Sequence, residues 1–473
     1  MTPWSGKVHL FSSSLRLRVF QRPRARQQPA LSKKEGSHFD LPIACGLLAA
    51  TGQLPVGRSE RYALAGELGL DGALRPIRGA LSMAQALREA GVGGFIVPTA
   101  NIAEAAVVEG LETRGANSFA EVVAFLAGRE ELPRRQVDAT KLLSRRSGSA
   151  LDLADVRGQQ HAKRALEVAA AGGHNIIFVG SPGGGKTMLA RRFSTVLPPM
   201  SLAEAIDVTR VHSVAGLLPP GQGLVTARPF RAPHHTISDA GLVGGGAVPR
   251  PGEASLAHHG VLFLDELTEF RRNVLEVLRQ PLEDGQVTIS RASRSLTYPA
   301  RFILAAAMNP CPCGFLGDSR RACRCTPRMI RRYRAKISGP LLDRIDLHIE
   351  VPPVSCPELT GTAATQSSAD IAAKVEVARR LQLERFKGCA GLYANGQMGV
   401  REVRRFCQAH ETGLSLLRAA MARFGLSARS FHRVLKIART IADLEASESI
   451  QPTHIAEAIQ YRGLDRGVLD TVG

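Results

Sequence analysis

Gly180, Ser181, Pro182, Gly183, Gly184, Gly185, Lys186 and Thr187 follow one another, and these residue types in this order suit phosphate chemistry. Glycines let a backbone approach phosphate oxygens closely, and successive N–H groups at the start of a helix favour an anion. At this spacing Lys186 should reach the β- and γ-phosphates of ATP, and the Thr187 hydroxyl should sit on Mg²⁺. The apolar run at residues 175–179 reads as a buried strand, and residues 188–193 read as helix. Strand, glycine-rich loop and helix is the context that a P-loop requires. A glycine-rich turn without nucleotide is the alternative, and it leaves the Lys, the Thr and both flanking elements unexplained.

A second apolar run, residues 261–264, ends in Asp265 and Glu266. A carboxylate there can hold the Mg²⁺ shell, the role expected of Asp265, and Glu266 beside it can polarise an attacking water. Acids after a strand are often solvated caps; beside a P-loop they gain meaning. A third run, residues 302–308, ends at Asn309, whose amide can orient the water or sense the γ-phosphate; the alternative is a turn-forming Asn before Pro310. Arg344 stands between Asp343 and Asp346, which suits either an intramolecular salt bridge or an arginine finger for a nucleotide on the adjacent subunit. Arg429 offers a further phosphate-facing cation, with Arg433 as its competitor and a plain exposed helix arginine as the alternative for both.

The elements that must position these groups follow an α/β pattern. Residues 151–357 alternate helical and strand signals, as a mostly parallel sheet with covering helices requires. Residues 358–473 begin with a linker and become helical: Phe431, Val434, Leu435, Ala438, Ile441 and Leu444 recur at helical spacing, and Pro452 suits the first turn of a last helix. Residues 31–130 read as a smaller α/β domain and residues 131–150 as a polar, basic linker. Residues 1–30 contain six cations and no acid; they can mimic a transit peptide but read more simply as an extension outside the fold.

The 473 residues carry a formal charge of +19, of which those six cations account for six, so the remainder is itself basic. That balance favours a polyanionic partner or a solvated basic surface. No apolar run approaches the roughly 18 residues of a membrane span, so a cytoplasmic protein without a membrane partner is expected. Four of the eight cysteines, Cys311, Cys313, Cys323 and Cys325, fall in one short window. Four thiolates suit a structural, tetrahedral Zn²⁺, although the Cys-x-Cys spacing is tighter than usual; two local disulfides or four inert thiols are the alternatives.

Residues 228–238, 249–258, 309–314 and 439–444 carry a resemblance to the ComM/YifB family of magnesium-chelatase-like AAA+ ATPases, and the similarity extends from about residue 31 to the C-terminus. The resemblance implies an AAA+ P-loop NTPase fold with a parallel sheet, a C-terminal helical lid and a partial α+β N-terminal domain similar to the Lon protease and ribosomal S5 fold. It implies a homo-oligomeric ring, expected to be a hexamer, with ATP sites between subunits. It makes Asn309 the sensor-1 residue, Arg344 the finger and Arg429 the sensor-2 residue. It also implies branch migration of DNA during natural transformation. Members usually begin with a longer first domain; residues 33–126 match only its later part, so a shortened or misassigned start is expected. The Lon resemblance raises proteolysis, but His38 falls at the serine position, no Lys stands where the base belongs, and Ser37 reads as a turn or capping residue.

Arg320, Arg321, Arg324, Arg328, Arg331, Arg332, Arg334 and Lys336 surround the cysteines, and residues 286–290 and 295–299 read as a β-hairpin with Arg291 and Arg294 at its turn. In the resembling group such a hairpin projects into the ring pore, where arginines would contact phosphates without reading sequence. A face used for subunit contacts, or simply solvated, is the alternative. The expected function is therefore an ATP-dependent DNA translocase or branch-migration helicase. A chelatase-type motor subunit and an AAA+ chaperone with a protein client are the rivals.

Overall fold

The computed structural model describes residues 37–466 apart from 145–149, 247–248, 292–293, 319, 355–364, 390 and 426. The expected extension at residues 1–30, Cys356 and most of the linker before the C-terminal helices lie outside the described residues. Two compact units divide the chain: one runs to Arg146 and includes Ser201–Thr226, and the other comprises Ser147–Met200 and everything from Ala227. Among the described residues, no helix is long and apolar enough to cross a membrane.

The larger unit is built on a five-stranded sheet ordered Leu347–Glu350, Ile176–Val179, Ile303–Met308, Val261–Leu264, Phe230–Arg231. Every neighbouring pair is parallel. Register pairs Met308 with Val179 and Ala306 with Leu264. The loops after these three strands therefore leave from one edge of the sheet. They are the loops that carry Lys186, Asp265 with Glu266, and Asn309. The carboxyl ends of strands in an open parallel sheet are where such folds bind ligands.

Strand periodicity sorts the core into two layers. Ile176, Phe178, Val261, Phe263, Ala305 and Ala307 face one side, packed with helix Gln160–Gly172, helix Lys186–Val196 and the C-terminal helices. Ile177, Val179, Leu262, Leu264, Ala306 and Met308 face the other, against Phe270, Val274, Leu275, Leu341 and Ile345. Burial on both faces is why these strands read as unbroken apolar runs rather than as alternating ones.

The C-terminal helices are Ser368–Arg385, Val400–Phe406, Glu411–Phe424, Ala428–Leu444 and Pro452–Gln460. Ser367 and Asp370 form a reciprocal cap at the first of them, and Ser427 accepts the Ser430 N–H at the fourth. The apolar stripe predicted for that helix is buried at Val434, Leu435, Ala438 and Ile441. Ile371, Val375, Ala378, Val434 and Ile441 share one apolar cluster with the sheet.

The smaller unit holds a four-stranded sheet ordered Tyr62–Leu64, Gly94–Pro98, Glu112–Ala116, Arg134–Arg135. The first two pairings are parallel and the last is antiparallel. Two stretches near the expected boundaries show structure of their own. The stretch read as a linker from residue 131 contains the edge strand Arg134–Arg135 and the helix Ala139–Ser144, and Leu132 is buried. An edge strand faces solvent and can be polar, so its composition resembles a linker. The segment Ser201–Thr226 falls within the range expected for the ATPase core, and its contacts group it with the smaller unit. In its helix Leu202–Ala215, Ser213 accepts the Gly79 N–H at 3.0 Å and donates to Glu104 at 2.5 Å. Glu104 also accepts from Asn101 at 2.6 Å. Ser37 donates to Glu67, an arrangement with no lysine in it and unlike a protease dyad.

Candidate nucleotide site and cysteine loop

The P-loop rises from Ile176–Val179 into helix Lys186–Val196. Gly185, the residue before that helix, has φ 87°, a left-handed conformation natural to glycine. Gly180 is needed for a different reason: a Cβ there would stand 2.1 Å from the Val351 carbonyl oxygen, which returns along the neighbouring strand.

Lys186 is buried, and its Nζ donates to the carbonyls of Gly180 at 2.6 Å and Ser181 at 2.9 Å and to Asn309 Oδ1 at 3.2 Å. Burial pulls its pKa below the ordinary lysine value, and the carboxylates of Asp265 and Glu266 oppose that shift. Thr187 Oγ1 donates to Asp265 Oδ2 at 2.7 Å. A hydroxyl and a carboxylate in contact at a helix start supply the hard oxygen ligands that Mg²⁺ prefers. The structure thus brings Lys186, Thr187, Asp265 and Asn309 together.

Glu266 has φ 50° and ψ 50°, a left-handed backbone that is uncommon outside glycine. Its carboxylate is exposed, with His235 Nδ1 at 3.5 Å from Oε2. His235 lies four residues beyond the edge strand Phe230–Arg231. The sequence gives no separate sign of this contact beyond its place in the family-like stretch 228–238.

Arg344 and Arg429 are not brought to this cluster. The Arg344 guanidinium is buried, bonds to Glu283 and donates to the Pro340 carbonyl at 2.5 Å. Arg429 is exposed in the first turn of Ala428–Leu444. Its competitor Arg433 is committed elsewhere, to Asp346 at 2.6 Å. Asp346 in turn accepts the Asn175 N–H at 3.1 Å, and Asn175 Nδ2 donates to the Arg344 carbonyl at 2.8 Å. Burial alone would raise the Asp346 pKa, but Arg433, His174 and Lys436 together hold it well below the usual carboxylate range.

The strand to Asn309 continues into the cysteine loop. The Sγ atoms of Cys311, Cys313 and Cys323 stand 3.4, 3.7 and 3.6 Å apart, and Cys325 joins them with all four sulfurs within 4.8 Å. All four cysteines are free, which removes the alternative of two local disulfides. A tetrahedron with Zn–S near 2.3 Å has edges of about 3.8 Å. The Phe315 and Arg324 N–H groups point at Cys313 Sγ, and the Phe315 bond leads in drawing that thiol down to about 6. The donor set therefore fits a zinc ion. Arg320, Arg321, Arg324, Arg328, Arg331 and Arg332 are exposed around it.

The predicted hairpin is present: Gln286–Arg291 pairs antiparallel with Arg294–Pro299, and the last register pair is Arg291 with Arg294. Val287 and Tyr298 are buried, and the Tyr298 hydroxyl donates to the Pro249 carbonyl at 2.9 Å.

Three family models match the chain. One described as magnesium chelatase, subunit ChlI, covers residues 152–359; its C-terminal counterpart covers 365–462; and one described as subunit ChlI of Mg-chelatase covers 26–101. The competence protein ComM of Haemophilus influenzae is 44% identical over 93% of this chain and 85% of its own length. YifB of Salmonella typhimurium is 44% identical over 93% of this chain and 84% of its own. The magnesium-chelatase 38 kDa subunit of Rhodobacter capsulatus is 25% identical over 67% of this chain and 88% of its own length.

Proposed function

Since the chain belongs to the ComM/YifB family of magnesium-chelatase-like AAA+ proteins, ATP-driven motors, we propose that it couples ATP hydrolysis to movement along branched DNA, in recombination during natural transformation. In this reading the working form is a cytoplasmic homo-oligomeric ring, hexameric by expectation.

The geometry supports the roles proposed for the P-loop, Asp265 and Asn309; those of Arg344 and Arg429 rest on the family resemblance. Lys186 binds the β- and γ-phosphates, and the backbone from Gly180 through Gly185, with Ser181 and Pro182, cradles them. Thr187 and Asp265 hold Mg²⁺, which when bound neutralises charge developing on the phosphate oxygens. Glu266 orients the attacking water and accepts its proton, and Asn309, bonded to Lys186, places its amide on the same side of the loop. Arg344 acts on the nucleotide of the adjacent subunit, and Arg429 contacts phosphate from the lid. Cys311, Cys313, Cys323 and Cys325 hold a structural Zn²⁺.

One observation carries the DNA reading: a two-stranded hairpin, with Arg291 paired to Arg294 at its end, sits in the chain immediately before the Asn309 strand. Cations on such a hairpin would contact the phosphate backbone, giving binding that ignores sequence and weakens with salt. The kinship with a magnesium-chelatase subunit favours a second reading, a motor that remodels a protein partner. ATP turnover measured with and without forked or four-way DNA, at low and high salt, separates them. The DNA reading predicts stimulation that salt abolishes; turnover indifferent to DNA at low salt would leave the protein-remodelling reading.

A further inference from the structure

The cysteine loop is a poor candidate for a self-supporting structure. Among its described residues, 310–326 form no helix or strand, and of its four cysteines only Cys311 is buried. Yet both of its ends are fixed. Its base is closed where the Tyr333 ring packs beside Asn309 and Arg334 reaches the Pro310 carbonyl at 3.3 Å. Its far side rests on the nucleotide loop at two points. Gly314, with φ 84°, lies so close to Pro182 that a Cβ would stand 2.7 Å from the proline Cδ. The Ser181 hydroxyl faces the Asp318 carboxylate and is the leading influence drawing its pKa down, and the carboxylate is fixed on its own side by the Arg320 and Arg321 N–H groups at 2.8 and 3.2 Å.

Ser181 and Pro182 belong to the phosphate cradle, and the Ser181 carbonyl is one of the three partners of Lys186. Gly314 and Asp318 therefore press from this side on two residues of the P-loop, one of which holds Lys186. A loop with so little secondary structure takes its shape from its cross-link, and metal binding there becomes folding energy for the segment. We infer that the four-cysteine loop is a zinc-held brace for the P-loop, so that metal loading of Cys311, Cys313, Cys323 and Cys325 sets the affinity for nucleotide through the Asp318–Ser181 and Gly314–Pro182 contacts. The inference rests on the zinc reading given above. It makes thiol oxidation or zinc loss a way of switching the motor off without touching Lys186, Asp265 or Glu266.

The test uses the purified full chain. Zinc per chain is counted by atomic absorption, and the affinity for a fluorescent ATP analogue is measured in Mg²⁺ buffer before and after a zinc-selective chelator, then after Zn²⁺ is returned. One zinc per chain is expected, with affinity falling about tenfold on stripping and recovering on reloading, the size of an ordinary coupling between sites. Asp318→Ala should keep its zinc, bind the analogue as weakly as the stripped protein and lose its response to the chelator. Because this variant leaves the metal in place, it decides the matter even if stripping unfolds the loop: wild-type affinity in Asp318→Ala overturns the brace. Zinc bound but affinity unchanged on stripping also overturns it while the zinc site stands. Absence of zinc from freshly purified protein overturns both.

Discussion

Lys186, Thr187, Asp265 and Asn309 are tied together by hydrogen bonds within one chain, whereas Arg344 and Arg429 have no such bond to any of them. The first group lies on three loops leaving one edge of the sheet, fixed by strand register. In the second, Arg344 lies just before the strand Leu347–Glu350, toward the opposite edge of the sheet, and is turned into its own ion pair with Glu283, while Arg429 lies on a C-terminal helix. The difference teaches that a single chain brings the phosphate-binding residues together by its own strand register, while the proposed roles of Arg344 and Arg429 would require a second subunit or a moved lid.

The sharpest way to break this contrast is Arg344→Ala. It should lower kcat by about 10³-fold or more while sparing nucleotide affinity, as loss of an arginine finger does. Mixing it with Glu266→Gln subunits should restore part of the turnover; no recovery in mixed rings would show that Arg344 serves its own chain, through Glu283. Glu266→Gln alone should cost about 10²–10⁴-fold in kcat with binding retained, the range of a lost general base. Lys186→Ala should weaken ATP binding on the order of 10²-fold, from the loss of charge-assisted bonds; equilibrium titration with unchanged affinity would remove the P-loop assignment.

Arg433→Ala probes the join between the two halves. Leaving the Asp346 carboxylate buried without its guanidinium should destabilise the fold by about 3 kcal/mol near neutral pH. Because the folded pKa of Asp346 is depressed, the pair's contribution is complete above the ordinary carboxylate value near 3.9 and is lost as pH falls through the folded one. Thermal melts should therefore show the variant and wild type converging below about pH 4; a constant gap would assign the loss to packing. The smallest effect is expected of His235→Ala: roughly threefold to tenfold in kcat with affinity unchanged, as the loss of one polar contact to Glu266 allows.

Much of the phosphate-binding half was legible because its signals are local. Buried parallel strands read as short apolar runs, the glycines and Lys186 fall at fixed spacing, and Asp265, Glu266 and Asn309 each end such a run. The hairpin and the last two helices were legible for the same reason, through alternation, helical periodicity and Pro452. What escaped depends on partners far away in the chain. Nothing near Arg344 announces Glu283, 61 residues earlier, and nothing near Ser213 announces Gly79, 134 residues earlier. Arg134 and Arg135 resemble linker residues because an edge strand needs no apolar side chains. His235 gains meaning only once the edge strand lies beside the strand that ends in Asp265.

The shared apolar cluster of sheet and C-terminal helices has a consequence for anyone who cuts this protein into pieces. Ile371, Val375, Ala378, Val434 and Ile441 lie in that cluster together with strand residues such as Ile176 and Phe178. A fragment ending near residue 360 would carry the P-loop, Asp265, Glu266 and Asn309 yet present a bare greasy flank to water, and should precipitate rather than behave as a minimal enzyme. The lid is thus part of the wall of the building, and shortening it trades a catalyst for an aggregate.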